Sequence, residues 1–197
     1  LTADIKSDGT EVTDADRSAE EFLRSEIGKE FPNDTIIGEE IEDSFGDSSR
    51  RWIIDPIDGT ASFVRGVPLY SSLLAMFDEH GPAIGIIHLP ALKTSLLAGR
   101  GLGAYMGEQR AAVSSVNSLR ESCISSSSFE QPWWPEKALM KITSCGAKIR
   151  TWGDGYGYFL VGIGRIEAMI DPSLHTYDIA PMLTIIPECG GKISTWT

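Results

Sequence analysis

Three cysteines, Cys123, Cys145 and Cys189, occur in 197 residues, and no two of them form a Cys-x-x-Cys pair. An odd count without that spacing argues against a disulfide framework and a structural zinc site, and it suits a reducing, cytoplasmic compartment. Long apolar runs are missing too. The nearest approach, Ala83–Leu92, is interrupted by His88 and Pro90, far short of the roughly 20 residues a membrane helix needs, so no membrane partner is expected. Positive charge is scarce: 17 Lys and Arg face 28 Asp and Glu, a net charge of -11, with no dense basic run. Such a field repels phosphate backbones, and no nucleic-acid partner is expected. His80, His88 and His175 form no His-Glu-x-x-His motif, so a zinc-protease signature is absent, and the serines at 125–128 lack the glycines of a nucleophile elbow, which argues weakly against a serine hydrolase because triads assemble in space. Gly-x-Gly-x-x-Ala at 99–104 leads into a turn and a second strand, which reads as a hairpin and not as a dinucleotide site.

What is present fits a folded chain: 42% hydrophobic and 23% charged residues are the proportions of a domain with a buried core. Thr13 or Asp14 caps a helix whose apolar positions are Ala15, Ala19, Phe22, Leu23 and Ile27. A short strand at 35–38 runs into Glu39 and Glu40, and an acidic loop leads to a strand expected to end at Asp55. Short apolar segments from Tyr70 to about Val113, split by turns, predict an antiparallel meander. Beyond it come a strand near 122–126, a helix over 135–145, a strand at 147–152 and a helix over about 156–163. A strand at 167–171, a final helix over about 178–188 and a strand at 191–195 complete the pattern. The whole reads as an α/β (α+β) layered sandwich of two lobes, 1–115 and 116–197. The chain starts at Leu1 and stops inside an expected strand, so further segments at both ends are expected.

The most informative stretch is Arg51–Thr60, Arg-Trp-Ile-Ile-Asp-Pro-Ile-Asp-Gly-Thr. A strand end and a Pro-fixed turn can aim Asp55 and Asp58 at one point, with the Ile57 carbonyl as a third hard oxygen. Gly59 and Thr60 would open a short helix whose free N–H groups suit a phosphoryl group. An acidic protein that handles phosphate needs local cations, and a divalent metal is the usual solution. The same Asp-Gly-Thr at 8–10 lacks the preceding strand and the second carboxylate and reads as a plain turn. Glu39 and Glu40, taken alone, read as a solvated acidic loop. Asp178 and Asp16 are explained locally as acids in the first turns of helices. Trp133 and Trp134, between two prolines, read as packing or an interface.

The segments Gly-Glu-Glu at 38–40, Trp52–Thr60, Ser62–Pro68, and Tyr177–Asp178 ahead of Glu188–Gly191 resemble the signature set of the inositol-monophosphatase-like phosphatases. The resemblance extends to 12–16 and 99–107. It implies a five-layered αβαβα sandwich that hydrolyses small phosphate monoesters with two or three Mg2+. By motif, Glu39, Asp55 and the Ile57 carbonyl would hold one metal; Asp55, Asp58 and Asp178 would hold a second. Asp16 falls where a water-mediated ligand of a weaker third metal lies. Thr60, paired with Glu39, falls where the attacking water is positioned. The first lobe would then bind metal and phosphate, and the second would complete the site. Tyr177 replaces the family's usual Trp, and Pro187 is expected to end or kink the last helix.

Residues 150–178 resemble the histidinol-phosphate phosphatase branch more than the inositol branch. L-Histidinol phosphate is therefore the expected substrate, with inositol monophosphate or another sugar phosphate as the alternative. A regulatory binding protein of the same fold is a second alternative, and a homodimer is compatible with the family. Asp154 and Asp171 could face a cationic amine or imidazolium, and Trp152 and Tyr156 could provide a flat wall. Both Asp residues are equally well explained as turn or cap residues. Arg65 could reach the substrate mouth, although a surface position is the commoner outcome.

Overall fold

The computed structural model describes residues 3–5, 11–128 and 136–195. The second Asp-Gly-Thr, at 8–10, and the Trp133–Trp134 pair lie outside the described residues. A two-stranded ribbon, β1 (Asp4–Ile5) and β2 (Glu11–Val12), precedes α1 (Asp14–Glu30). Thr13 caps α1: its hydroxyl accepts the Ala15 N–H at 3.2 Å, and Asp16 accepts the Thr13 N–H at 2.8 Å. That exchange satisfies donors the first helical turn would otherwise leave unpaired.

A seven-stranded sheet follows: β3 (Thr35–Gly38), β4 (Arg51–Asp58), β5 (Ser71–Asp78), β6 (Gly81–Leu89), β7 (Thr94–Gly99), β8 (Gly103–Met106) and β9 (Gln109–Arg110), in that spatial order. Only β3 and β4 run parallel. β5 to β9 form the expected meander, because the two- to four-residue turns between them can join only antiparallel neighbours. Between β4 and β5 sits the short helix α2 (Thr60–Val64).

Three parallel strands make a second sheet: β10 (Cys123–Ser125), β11 (Lys148–Arg150) and β12 (Ala168–Met169), ordered β11-β10-β12. The crossover β10-to-β11 carries α3 (Glu136–Ser144), and the return past β10 to β12 carries α4 (Asp154–Gly162). The two crossovers move in opposite directions, so right-handed connections place α3 and α4 on opposite faces. α4 faces inward against β5 and β6, beside α6 (Met182–Glu188), which packs on β6 and β7. α1 covers the other face of the large sheet at β4. The layers are thus α1, large sheet, α4 with α6, small sheet, α3: the αβαβα sandwich.

Three expectations change in detail. The final helix is two: α5 (Thr176–Ile179) and α6, with Pro181 as the N-cap of α6. Pro187 lies in the last turn of α6, where it removes the N–H that would donate to the Leu183 carbonyl, and the helix ends one residue later at Glu188. Residues 191–195 carry no regular structure. On α1, Phe22 is exposed, and the face turned inward instead buries Asp16, Glu20 and Ile27. Leu23 and Ile27 do pack on Ile36, Trp52 and Ile54 as expected, while the buried positions nearer the N-terminus, Asp16 and Glu20, are acidic.

Candidate metal centre

Residues alternate faces along a regular strand, so Asp55 and Asp58, three apart, would point to opposite sides of the sheet. They do not, because β4 is not regular there. Asp55 pairs with Leu73 and Asp58 with Ser71, so three steps on β4 match two on β5. This bulge includes Pro56, which has no N–H to give the ladder. The extra residue returns Asp58 to the side of Asp55, and β4 continues through Asp58 instead of ending at Asp55. Asp178 arrives from α5, and oxygens of Asp55, Asp58 and Asp178 lie within 4.8 Å of one another. Glu39 directly follows β3, whose parallel register sets Gly38 beside Ile54. From there its carboxyl lines the same cleft as Asp55 and its charge opposes the ionisation of Asp55.

Hydrogen bonds fix two of these carboxylates. Asp58 Oδ2 accepts from the Ser71 hydroxyl at 2.5 Å and from the Gly155 N–H at 2.6 Å. A Cβ on Gly155 would overlap Ser71 Oγ and stand 2.7 Å from Asp58 Oδ2; glycine is required for that close approach. Asp178 accepts the His175 N–H at 2.6 Å, so it both caps α5 and faces the site. Gly59 adopts φ 84°, ψ 43° at the start of α2. A Cβ there would lie 2.8 Å from Asp154 Oδ2, which places the Asp154 carboxylate directly over the Gly59 backbone.

Together these groups line a cleft of about 200 Å³ that includes Glu39, Asp55, Ile57, Asp58, Asp154 and Asp178. Among the described residues no Lys or Arg lines it. Burial drives the Asp55 carboxyl well above its ordinary range, and the charges of Asp58, Glu39 and Asp178 push it further. Asp58 is raised by burial and by Asp154, against the opposing hydrogen bonds from Ser71 and Gly155. Burial lifts Asp178 to about 6 despite the His175 N–H. Asp154 is raised by burial and by Asp171, with the Ser127 hydroxyl opposing. Carboxylates pressed toward protonation together mark a deficit of positive charge. Asp55 Oδ1 is buried with no hydrogen-bond partner, a costly condition that a cation would relieve. Hard carboxylate oxygens and one backbone carbonyl are the donor set that Mg2+ takes. The residues fit a divalent metal.

The sequence profile of the inositol monophosphatase family matches residues 1–197. The chain belongs to that family. It is therefore a phosphoric monoester hydrolase of a metal-dependent type, acting on phosphorylated small molecules. This inositol monophosphatase family member is 36% identical to a histidinol-phosphatase of Mycobacterium tuberculosis, over 99% of this chain and 78% of that one. It is 39% identical to a histidinol-phosphatase of Chlorobaculum parvum, over 94% and 73%. The solved IMPase of Thermotoga maritima superimposes with a TM-score of 0.87 at 34% identity, over 96% of this chain and 74% of that one.

The other expected site residues of this phosphatase lie at graded distances from the cleft. The Thr60 hydroxyl has two acceptors, Asp16 Oδ1 at 3.2 Å and the Ile57 carbonyl at 3.1 Å. Asp16 is fully buried beneath it. Asp171 accepts from the Ser127 N–H at 2.8 Å and from the Tyr158 hydroxyl at 3.0 Å. It lines a second, larger cavity of about 650 Å³ and not the carboxylate cleft. Arg65 pairs with Glu11 through two nitrogens, at 2.7 and 3.2 Å, away from the cleft lining. Trp152 packs under the Arg150 guanidinium and Tyr156 stacks on Phe159. Neither lines the cleft; the aromatic groups that do are Tyr158, Tyr177 and His175.

Sequence reasoning missed Ser71, Gly155 and Ser127. Ser127 joins two of the expected residues, since its hydroxyl accepts the Asp154 N–H at 2.8 Å while its own N–H serves Asp171. The serine run at 125–128 was legible only as an absent nucleophile. Asp154 itself, at φ 56°, carries a signal in hindsight: Gly-Asp-Gly suits a left-handed residue, which Asp tolerates better than most.

Proposed function

We propose that this phosphatase hydrolyses L-histidinol phosphate to histidinol and phosphate. Mg2+, two ions or three, would be held by Glu39, Asp55, the Ile57 carbonyl, Asp58 and Asp178, with Asp16 serving the third through water. When bound, Mg2+ neutralises phosphoryl oxygens and lowers the pKa of a bound water. The protein's own groups do the rest. The Ile57 carbonyl keeps a lone pair after accepting from Thr60. Whichever acceptor Thr60 donates to, its oxygen retains lone pairs for a water, and Glu39 beside Asp55 is the acceptor for that water's proton. Gly59 and Thr60 present peptide N–H groups to the phosphate at the bulge-to-helix turn.

The observation that carries the substrate assignment is the Asp154 carboxylate in the wall of the cleft, above Gly59. Histidinol phosphate differs from an inositol phosphate by its primary amine and imidazole, and a carboxylate at the mouth selects for a cation. Asp171 supports this wall from behind through Ser127 and Tyr158. The names borne by the M. tuberculosis and C. parvum relatives point the same way. The second reading, inositol monophosphate, is favoured by the likeness to the Thermotoga IMPase. Phosphate release with Mg2+, offered both esters side by side, tests the choice. The expected outcome is a kcat/KM preference for histidinol phosphate that Asp154→Asn reduces by about tenfold or more, ~1.4 kcal/mol. A preference for inositol phosphate would retain the metal site and reject the substrate.

A further inference from the structure

α1 buries a polar stripe at intervals of four: Asp16, Glu20 and Arg24. Asp16 meets Thr60. Glu20 and Arg24, which the phosphatase reading leaves without a role, meet the opposite side of the centre. The Glu20 side chain is 0% exposed and that of Arg24 12%. Glu20 Oε1 accepts from Arg24 Nε at 2.8 Å, and Glu20 Oε2 accepts the Glu40 N–H at 2.8 Å. Arg24 Nη2 donates to the Ile41 carbonyl at 2.9 Å, and Nη1 to the Ile36 carbonyl at 3.4 Å and to Ser44 Oγ at 3.3 Å. A Cβ on Gly38 would overlap Glu20 Oε1. The pair therefore grips the chain at residues 36, 38, 40 and 41, on both sides of Glu39.

A buried ion pair is a weak source of stability, since apolar residues of similar volume do as well or better once desolvation is counted. Here, apart from the Arg24–Glu20 bond itself, the hydrogen bonds of the pair go to the chain between Ile36 and Ser44, on both sides of Glu39. Backbone pairing closes this loop at its base, where Ile36 and Ser44 exchange hydrogen bonds at 2.8 and 3.0 Å, but β3 ends at Gly38 and residues 39–41 above the bridge lie in no strand or helix. We infer that Glu20 and Arg24 are positioning residues for the metal ligand Glu39, fixing the 38–41 turn so that its carboxylate meets Asp55 before any cation arrives. The inference rests on the metal reading of Glu39 given above.

Mn2+ alone, titrated into the whole chain and followed by the loss of its free-ion electron paramagnetic resonance signal, tests this without substrate. Four proteins are compared: wild type, Glu20→Gln, Glu39→Gln and the double variant, each checked for native near-ultraviolet circular dichroism. Glu20→Gln is expected to weaken Mn2+ binding about tenfold in the wild-type background, the usual effect of loosening a ligand's support. Once Glu39 is already Gln, it is expected to have no further effect, because a residue acting through Glu39 has nothing left to act on. Equal weakening in both backgrounds would make the pair merely structural and overturn the inference, as would no weakening in the wild type. If Glu39→Gln itself binds Mn2+ like wild type, the metal reading fails and this inference with it. If Glu39→Gln is weakened and Glu20→Gln is not, only the positioning role falls. Should Glu20→Gln not fold, the same cycle with Arg24→Lys decides, since lysine keeps the charge but cannot span the same acceptors.

Discussion

Asp55 is 1% exposed, leaves one oxygen unpaired and faces three other acids. In the absence of a cation these features destabilise the folded chain; with one, they become its ligand set. The two effects separate in Asp55→Asn, which keeps the shape and removes the charge. Phosphate release is expected to fall at least about a hundredfold in kcat/KM, ~2.7 kcal/mol of lost transition-state stabilisation. In EDTA the same variant is expected to melt a few degrees higher than wild type, since about 1 kcal/mol moves a chain of this size by ~2–4 °C. Scanning fluorimetry in EDTA checks the second half, and a lower melting temperature would contradict it. Asp55 and Asp58 were legible in the sequence because strand, proline and both acids fall within a few residues. Asp178 and Asp16 were not legible from local pattern. Each does cap its helix, accepting the N–H of His175 and Thr13 respectively, and local pattern cannot register a second task. Resemblance to the family, and not periodicity, brought them forward.

Among the elements, the bulge in β4 and the start of α4 are fitted to each other. The bulge turns Asp58 inward, and α4 offers the Gly155 N–H to it across 97 residues of sequence. Sheet, meander and alternating second half could be anticipated because their patterns are local and turn residues mark their ends. The meeting of Gly155 with Asp58 could not, because a glycine inside a helix gives no sign of what approaches it. On α1 the apolar pattern found Leu23 and Ile27 but not the buried Asp16 and Glu20, for a related reason: an amphipathic pattern assumes that what is buried is apolar. Gly155→Ala isolates the fit. Its Cβ must displace Ser71 and Asp58, and overpacking of this kind costs about 1–3 kcal/mol. The expected result is a protein that still folds, melts lower, and loses more activity than its melting shift explains. Gly190→Ala, whose Cβ would meet nothing within 4 Å but whose φ is 86°, provides the comparison: destabilised by strain, with activity per folded molecule unchanged. If both variants lose activity in proportion to stability, the Asp58–Gly155 contact has no particular part in the site.

For the whole molecule, a net charge of -11 and a cleft walled by carboxylates make stability depend on pH and metal together. The sign follows from the groups whose ionisation is displaced. Asp178 is raised from 3.8 to about 6, and Asp55, Asp58 and Asp154 are raised in the same direction. A raised carboxyl holds its proton more tightly when folded, so its contribution is complete below the unfolded value and is lost as pH rises through the folded one. The lowered groups act elsewhere. Asp34, whose burial is outweighed by hydrogen bonds from Arg50, Ser48 and Trp52, loses its contribution only below its ordinary value of 3.8. Between about pH 4 and pH 7 the raised set therefore dominates, and the metal-free protein should become less stable as pH rises. Magnesium should reverse the trend, because its ligands must be deprotonated and binding strengthens as they ionise. Denaturant midpoints measured across that range in EDTA and again in excess Mg2+ are expected to form diverging curves, falling without the metal and level or rising with it. The gap at neutral pH measures the linkage between metal and fold. Parallel curves would mean that the acids of the cleft are neutralised by something other than a divalent cation.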